Sequence, residues 1–321
     1  MVSIASSQTS RTAKARKFHR ALPLLSRAGG EEGRYAALLA AVVRYLEAEH
    51  EAEPGGPGES GIQIVRGRPR LLEVYGLGQA TVYCDGVLLA RPDWQSATAK
   101  ELFFYFIEHP EGLRKEVIQA ALWPDQTLSR ANDNFHTSLK RLRKAVGMEI
   151  VKIEEAVYRL NPTLAIWHDG AEALALIEQA KAVPDLDAAR RNFTAAAALL
   201  KGPFAEEFYR DWAGARRQFW QTRTREVLMW LADDATRTGD FTAAVTWGQR
   251  LLAIDPLDES AHGLLMHIYA AAGSPAKLSQ QYHELCRILQ YELGGTPSPE
   301  ITALYKRLLN TDPGQARFPA R

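Results

Sequence analysis

The spacing of apolar positions changes twice along the chain. From Pro69 it has the short period of strands: Leu71–Leu77 and Thr81–Cys84 read as β-runs, with turn chemistry at Gly76-Leu77-Gly78 and Asp85-Gly86. Val87-Leu88-Leu89 adds a third run, and the economical arrangement is a small antiparallel sheet. Helical period follows. Ala97–Glu108 carries Leu102, Phe103, Phe106 and Ile107 on one face and stops near Pro110-Glu111-Gly112. Arg114–Leu122 would bury Val117, Ile118, Ala121 and Leu122, and Trp123-Pro124-Asp125 ends it, since proline disfavours helix at the residue before it.

The next helix has two contrasting faces. Ala131, Phe135, Ser138, Leu139, Leu142 and Val146 share an apolar arc, while Arg130, Asp133, Thr137, Lys140, Arg141 and Lys144 share the opposite one. Ser129 is placed to cap its start and Gly147 to end it in a left-handed conformation. Glu149–Glu154 and Ala156–Leu160 then alternate as a hairpin ending at Asn161-Pro162. Sheet, three helices, hairpin is the order of a winged helix-turn-helix with an N-terminal sheet, in which the Ser129 helix is the reading helix and the hairpin the wing.

From Asp169 to Leu309 the chain reads as helix throughout, and a repeat appears. Gly239 and Gly273 are 34 residues apart, and the same offset pairs Ala235 with Tyr269, Leu231 with Leu265 and Leu251 with Leu285. That is the tetratricopeptide period, with the inter-helix turn at Thr238-Gly239-Asp240 and a helix stop at Asp255-Pro256. Leu186–Leu200 and Ala213–Arg237 supply a less regular unit of the same stack. Upstream, Phe18–Arg27 and Gly33–Glu53 suggest two helices, and Pro54–Gly61 is a linker by composition. The Ser/Thr-rich basic stretch before Arg20 has no apolar core behind it and reads as a tail.

Composition narrows the function classes. At 321 residues and 46% apolar content the chain can bury two or three cores. A formal net charge of +1 means that affinity for nucleic acid must come from a local patch. Cys84 and Cys286 are distant and lack ligand spacing, which points to a reducing cytoplasm and away from disulfides or zinc. No apolar run reaches the roughly 20 residues of a membrane span. Nucleophile elbow, HExxH pair and phosphate loop are all missing, so the expectation is a non-enzyme without cofactor or metal.

Six short sequence features span the two halves: Leu122-Trp123-Pro124, Leu139-Lys140-Arg141-Leu142-Arg143, Lys201-Gly202-Pro203-Phe204, Trp212, Asp255-Pro256-Leu257-Asp258-Glu259 and Glu292-Leu293-Gly294-Gly295-Thr296-Pro297-Ser298-Pro299-Glu300. In this order and spacing they resemble the antibiotic regulatory protein family of bacterial transcriptional activators. The resemblance implies a winged helix followed by an all-α, tetratricopeptide-like bacterial transcriptional activator domain. It implies too an activator that sits on direct-repeat sites in double-stranded promoter DNA, where two copies could pair, and recruits RNA polymerase. On this reading residues 1–61 are a tail, helical extension and linker, 69–162 the winged helix, and 169–310 the activator domain. Residues Met1–Gly61 go beyond the minimal family plan.

Base readout needs side chains that reach base edges from a helix in the major groove, and affinity needs cations near phosphates. Arg130, Asn134, Thr137, Lys140 and Arg141 are the groove candidates, with Lys144 and Arg143 nearer phosphate. Asp133 is read either as an acceptor for a cytosine amino group or, the simpler reading, as a partner of Arg130 or Thr137. Lys152, Tyr158 and Arg159 are candidates in the wing, where Glu154-Glu155 favour contact by its flank, and Arg114 and Lys115 could clamp phosphate. The competing readings are a helical-repeat adaptor whose winged helix binds protein, and a sensor whose repeat groove takes a peptide or small effector.

Overall fold

The structure, a computed structural model, describes residues 71–147 and 150–310. The helices expected at Phe18–Arg27 and Gly33–Glu53, and the linker after them, lie outside the described residues. The described residues form two compact units, one of 71–147 and 150–172 together with 201–215, the other of 173–200 and 216–310.

In the first unit β1 (Leu71–Tyr75) pairs antiparallel with β2 (Thr81–Cys84), and β2 with β3 (Val87–Leu88). Asp85 and Gly86 join the last two with φ of 52° and 80°, the geometry that a two-residue hairpin requires. The sequence pattern predicts a purely antiparallel sheet, and the structure corrects this. A fourth strand, β7 (Ala165–His168), runs parallel to β1, giving the order β3-β2-β1-β7. Strand β1 is thus central, and Leu72, Glu73 and Val74 are buried in succession. Glu73 is tolerated there because its carboxylate accepts from the Tyr75 hydroxyl at 3.3 Å.

A single turn, α1 (Arg91–Trp94), seats Trp94 in the core before α2 (Ala97–Ile107), which Ser96 caps by accepting from the Thr98 N–H at 3.2 Å. Helix α2 is buried more widely than one face: Leu102, Phe103, Phe104 and Phe106 are fully enclosed, and Glu101 is covered as well. The cover includes a piece of chain from far downstream. Residues 201–215 lie against the β1–β2 turn, where Leu77 and Phe204 form a β-bridge and Gly78 N–H donates to the Pro203 carbonyl at 3.0 Å. Glu101 is held by Arg210 and by the Trp212 indole N–H, the latter at 3.0 Å. Lys201-Gly202-Pro203-Phe204 and Trp212 therefore belong to the sheet-bearing unit. The linear division at 162 and 169 is interleaved in the folded chain.

In the second unit α5 (Asp169–Ala182) and α7 (Asp211–Thr238), which both begin in the first, continue alongside α6 (Leu186–Leu199) in the chain order. Then come α8 (Phe241–Ile254), α9 (Glu259–Ala271), α10 (Pro275–Leu293) and α11 (Pro299–Leu309). The repeat is physical. Gly239 and Gly273 both take positive φ, and Asp240 and Ser274 donate to Ala235 and Tyr269, pairs that keep the same offset. Leu231, Leu251, Leu265 and Leu285 are all buried. Helices α8 and α9 approach so closely that a Cβ on Gly248 would lie 2.6 Å from the Leu265 side chain.

Candidate nucleic-acid interface

The helix-turn-helix is α3 (Lys115–Leu122) and α4 (Leu128–Val146). Thr127, in extended conformation, caps α4 by accepting from the Arg130 N–H at 3.5 Å, so the helix starts before Ser129, the cap that the sequence suggests. The reason is the preceding turn, in which Gln126 N–H donates to the Trp123 carbonyl at 3.2 Å and leaves Thr127 at the point of entry. At the far end Gly147 has positive φ but an extended ψ of 165°, not the left-handed helical geometry expected. All six residues of the apolar arc, Ala131, Phe135, Ser138, Leu139, Leu142 and Val146, are buried. Burial of Phe135, Leu139 and Leu142 at about 1.5–3 kcal/mol each fixes which face of the helix can point outward.

That outward face carries the predicted readers. Arg130, Thr137, Lys140 and Lys144 are exposed, and Asn134 and Arg141 half-buried. The Asn134 amide donates to Gln126 Oε1 at 2.5 Å. Asp133 is exposed, and among the described residues it pairs with neither Arg130 nor Thr137. Instead Asp125, Gln126, Thr127, Arg130, Asp133 and Asn134 line one open depression at the start of α4. Arg143 turns away from the outward face and donates to the Val151 carbonyl at 3.3 Å.

Helix α3 buries Ile118, Gln119 and Leu122, while Val117, expected inside, is 48% exposed. The helix begins one residue later than its apolar spacing suggests, because Arg114 is drawn into a strand and becomes its cap residue. Lys115 is half-buried, and its ammonium donates to Asn132 Oδ1 at 2.9 Å, tying α3 to α4.

The wing is wider than a hairpin. Strand β4 (Leu113–Arg114) joins β5 (Val151–Glu154) and β6 (Val157–Leu160) in the order β4-β6-β5. Register sorts its side chains, because residues directly opposite share a face and neighbours along a strand alternate. Tyr158 is opposite Ile153 and Leu113, and its ring meets Phe135 edge-on at 5.0 Å. It is therefore on the face that packs against α4. Lys152 is opposite Arg159, and Arg114 opposite Val157, so Arg114, Lys152 and Arg159 share the outer face. Glu154, also outer, is paired with Arg159. The wing turn places Glu155 and Ala156 at φ of 48° and 63°, a tight reversal built without glycine.

Of the predicted residues, the structure thus groups Arg130, Asn134, Thr137, Lys140, Arg141 and Lys144 on α4, and Arg114, Lys152 and Arg159 on the wing. Lys115 and Tyr158 are engaged within the fold. Gln126 escaped sequence reasoning because nothing in a lone glutamine after a proline turn signals a role. Among the described residues no group of three or more His, Cys, Asp or Glu could hold a metal ion, and no helix is long and apolar enough to cross a membrane.

Residues 168–309 match the family model of the bacterial transcriptional activator domain. The regulatory protein AfsR of Streptomyces griseus is 29% identical over 206 residues, which cover 61% of this chain and 20% of that protein. AfsR of Streptomyces coelicolor is 28% identical over 203 residues, covering 62% and 20%. The chain spans about a fifth of the length of these curated relatives. Among solved structures, Mycobacterium tuberculosis EmbR in complex with a low affinity phosphopeptide has a TM-score of 0.59 at 19% identity, covering 77% of this chain and 68% of that one, which is a likeness of fold. With its mainly helical architecture and small N-terminal sheet, the chain is similar to these regulatory proteins over about three fifths of its length, and residues 168–309 are its match to the bacterial transcriptional activator domain.

Proposed function

We propose that this protein binds duplex promoter DNA sequence-specifically through α4 and activates transcription from the bound site. The observation that carries the reading is the division of α4: one face locked in the core, the other carrying Arg130, Asn134, Thr137, Lys140 and Arg141, beside a wing whose outer face bears Arg114, Lys152 and Arg159. Laid in the major groove, these groups match base edges, since arginine pairs bidentately with guanine and asparagine with adenine. Lys144 and, from the outer face of the wing, Arg114, Lys152 and Arg159 supply the phosphate contacts. Lys115 and Tyr158 support the reading as struts that hold α3 and the wing against α4. Occupation of direct repeats by two copies and recruitment of RNA polymerase complete the proposal, and rest on the regulator plan.

Selection of binding sites from a random duplex pool tests it, with titration of the winning site at several salt concentrations. The expected result is an enriched repeat whose affinity falls steeply with salt. Replacing Lys140 and Arg141 together by Ala should abolish binding with the unfolding transition unchanged. A pool in which nothing is enriched would overturn the reading in favour of a protein-binding adaptor.

A further inference from the structure

We infer that Gln126 is a positioning residue for base readout, holding the Asn134 amide in the orientation that selects an A·T pair. The inference rests on the proposal that α4 enters the major groove. Gln126 is fixed on both sides. Before it, Trp123 is buried and its N–H donates to the Gln119 carbonyl at 2.8 Å. Pro124 then sits at the second position of the turn that Gln126 closes onto Trp123, a place that suits the fixed φ of proline. After it comes Thr127, the cap of α4. The backbone of Gln126 therefore has little freedom, and its side chain spans from this turn to Asn134, the eighth residue on.

The chemistry lies in what the contact leaves over. A primary amide has two N–H donors and one carbonyl acceptor. Asn134 gives one N–H to Gln126 Oε1 at 2.5 Å. The second N–H and Oδ1 remain, and they are the pair that adenine requires in the major groove, a donor for N7 and an acceptor for the N6 amino group. Without Gln126 the amide is free to turn about its last torsion, which exchanges donor and acceptor edges and erases the distinction. Gln126, Arg130 and Asn134 line the same depression, so the fixed amide and the Arg130 guanidinium would address neighbouring base pairs.

The test uses the full chain and four variants in binding-site selection followed by titration of single-base-pair replacements. Both N134A and Q126A should lose about tenfold of the discrimination at one and the same A·T pair. The double variant should lose no more than either. Q126E should keep that preference, because a carboxylate accepts from the same amide, while binding every sequence more weakly through its added negative charge. A Q126A protein that retains its preference at every position would show that the contact merely staples the turn to the helix and would overturn the inference. So would a loss at a different base pair from that of N134A. A wild-type protein that enriches no sequence overturns the groove reading itself, and the inference falls with it.

Discussion

The Tyr158 ring of the wing meets Phe135 of α4 edge-on, with centroids 5.0 Å apart and planes at 88°. Phe135 is fully buried and Tyr158 half-buried, so the pair carries the wing on the core through carbon contacts. Tyr158→Phe should therefore leave both stability and DNA affinity unchanged. Tyr158→Ala should cost about 2 kcal/mol in urea unfolding, and a double-mutant cycle with Phe135→Leu should return a coupling of about 1 kcal/mol. Loss of affinity in Tyr158→Phe at unchanged stability would restore the hydroxyl as a DNA contact.

Arg130 and Lys144 stand at opposite ends of the outward face of α4 and should fail differently. Arg130→Ala is expected to cost about 1–3 kcal/mol on the best site and to relax preference at one base pair. Lys144→Ala should weaken all sequences alike and lower the slope of log affinity against log salt by about one. Binding isotherms on matched and single-substituted duplexes at three salt concentrations separate the two behaviours. Equal loss of preference in both variants would remove the division between reading and phosphate contact.

How far these roles could be read in the sequence depends on whether the deciding interaction is local. The faces of α4 were legible because six apolar residues keep one helical period, and the repeat because glycines 34 residues apart do one steric job. Strand β4 was not, since Leu113–Arg114 is a strand only by pairing with Val157 and Tyr158. Nor was β7, whose four residues become a strand beside β1, nearly a hundred positions away in the chain. The role of Lys201–Trp212 was hidden for the same reason: its partners are Gly76, Gly78 and Glu101. At the candidate interface, periodicity could sort residues into outward and inward, yet not show that Lys115 is held by Asn132 or Asn134 by Gln126.

Asp169 illustrates a distant latch with a pH signature. Its carboxylate accepts from the N–H groups of Gly76, Leu77 and Gly170 at 2.8–2.9 Å, clamping the β1–β2 turn to the start of α5. Burial, outweighing those bonds and the Lys201 charge, pushes its pKa up from 3.8 to about 6. A carboxyl whose folded pKa exceeds its unfolded one binds protons more tightly when folded, so its contribution to stability is present at low pH and is lost as pH rises from about 4 to about 6. Asp169→Asn does not titrate. Wild type should therefore gain about 2 kcal/mol relative to Asp169→Asn at pH 4.5 compared with pH 7. Urea unfolding of both proteins at the two pH values measures this; the opposite sign would mean that the three N–H donors prevail over burial.

Gly112 and Gly86 separate space from conformation in the same unit. Both have positive φ, 86° and 80°, so an alanine at either carries a similar backbone strain of about 1–2 kcal/mol. At Gly86 an added Cβ meets nothing within 4 Å. At Gly112 it would lie 2.7 Å from Val157 Cγ1, 2.9 Å from Arg159 Cβ and 3.1 Å from the Tyr158 carbonyl oxygen. The obstacle is strand β6 itself, with a backbone atom among the contacts, so the clash cannot be relieved by a rotamer change alone. Gly112→Ala should cost about 1–3 kcal/mol more than Gly86→Ala in urea unfolding. It should also loosen β4 from β6, seen as faster amide exchange at Leu113, Val157 and Tyr158, and weaken DNA binding through the displaced Arg114 and Arg159. Equal losses in the two variants would mean that β4 yields without cost and that the three-stranded wing does not depend on this close approach.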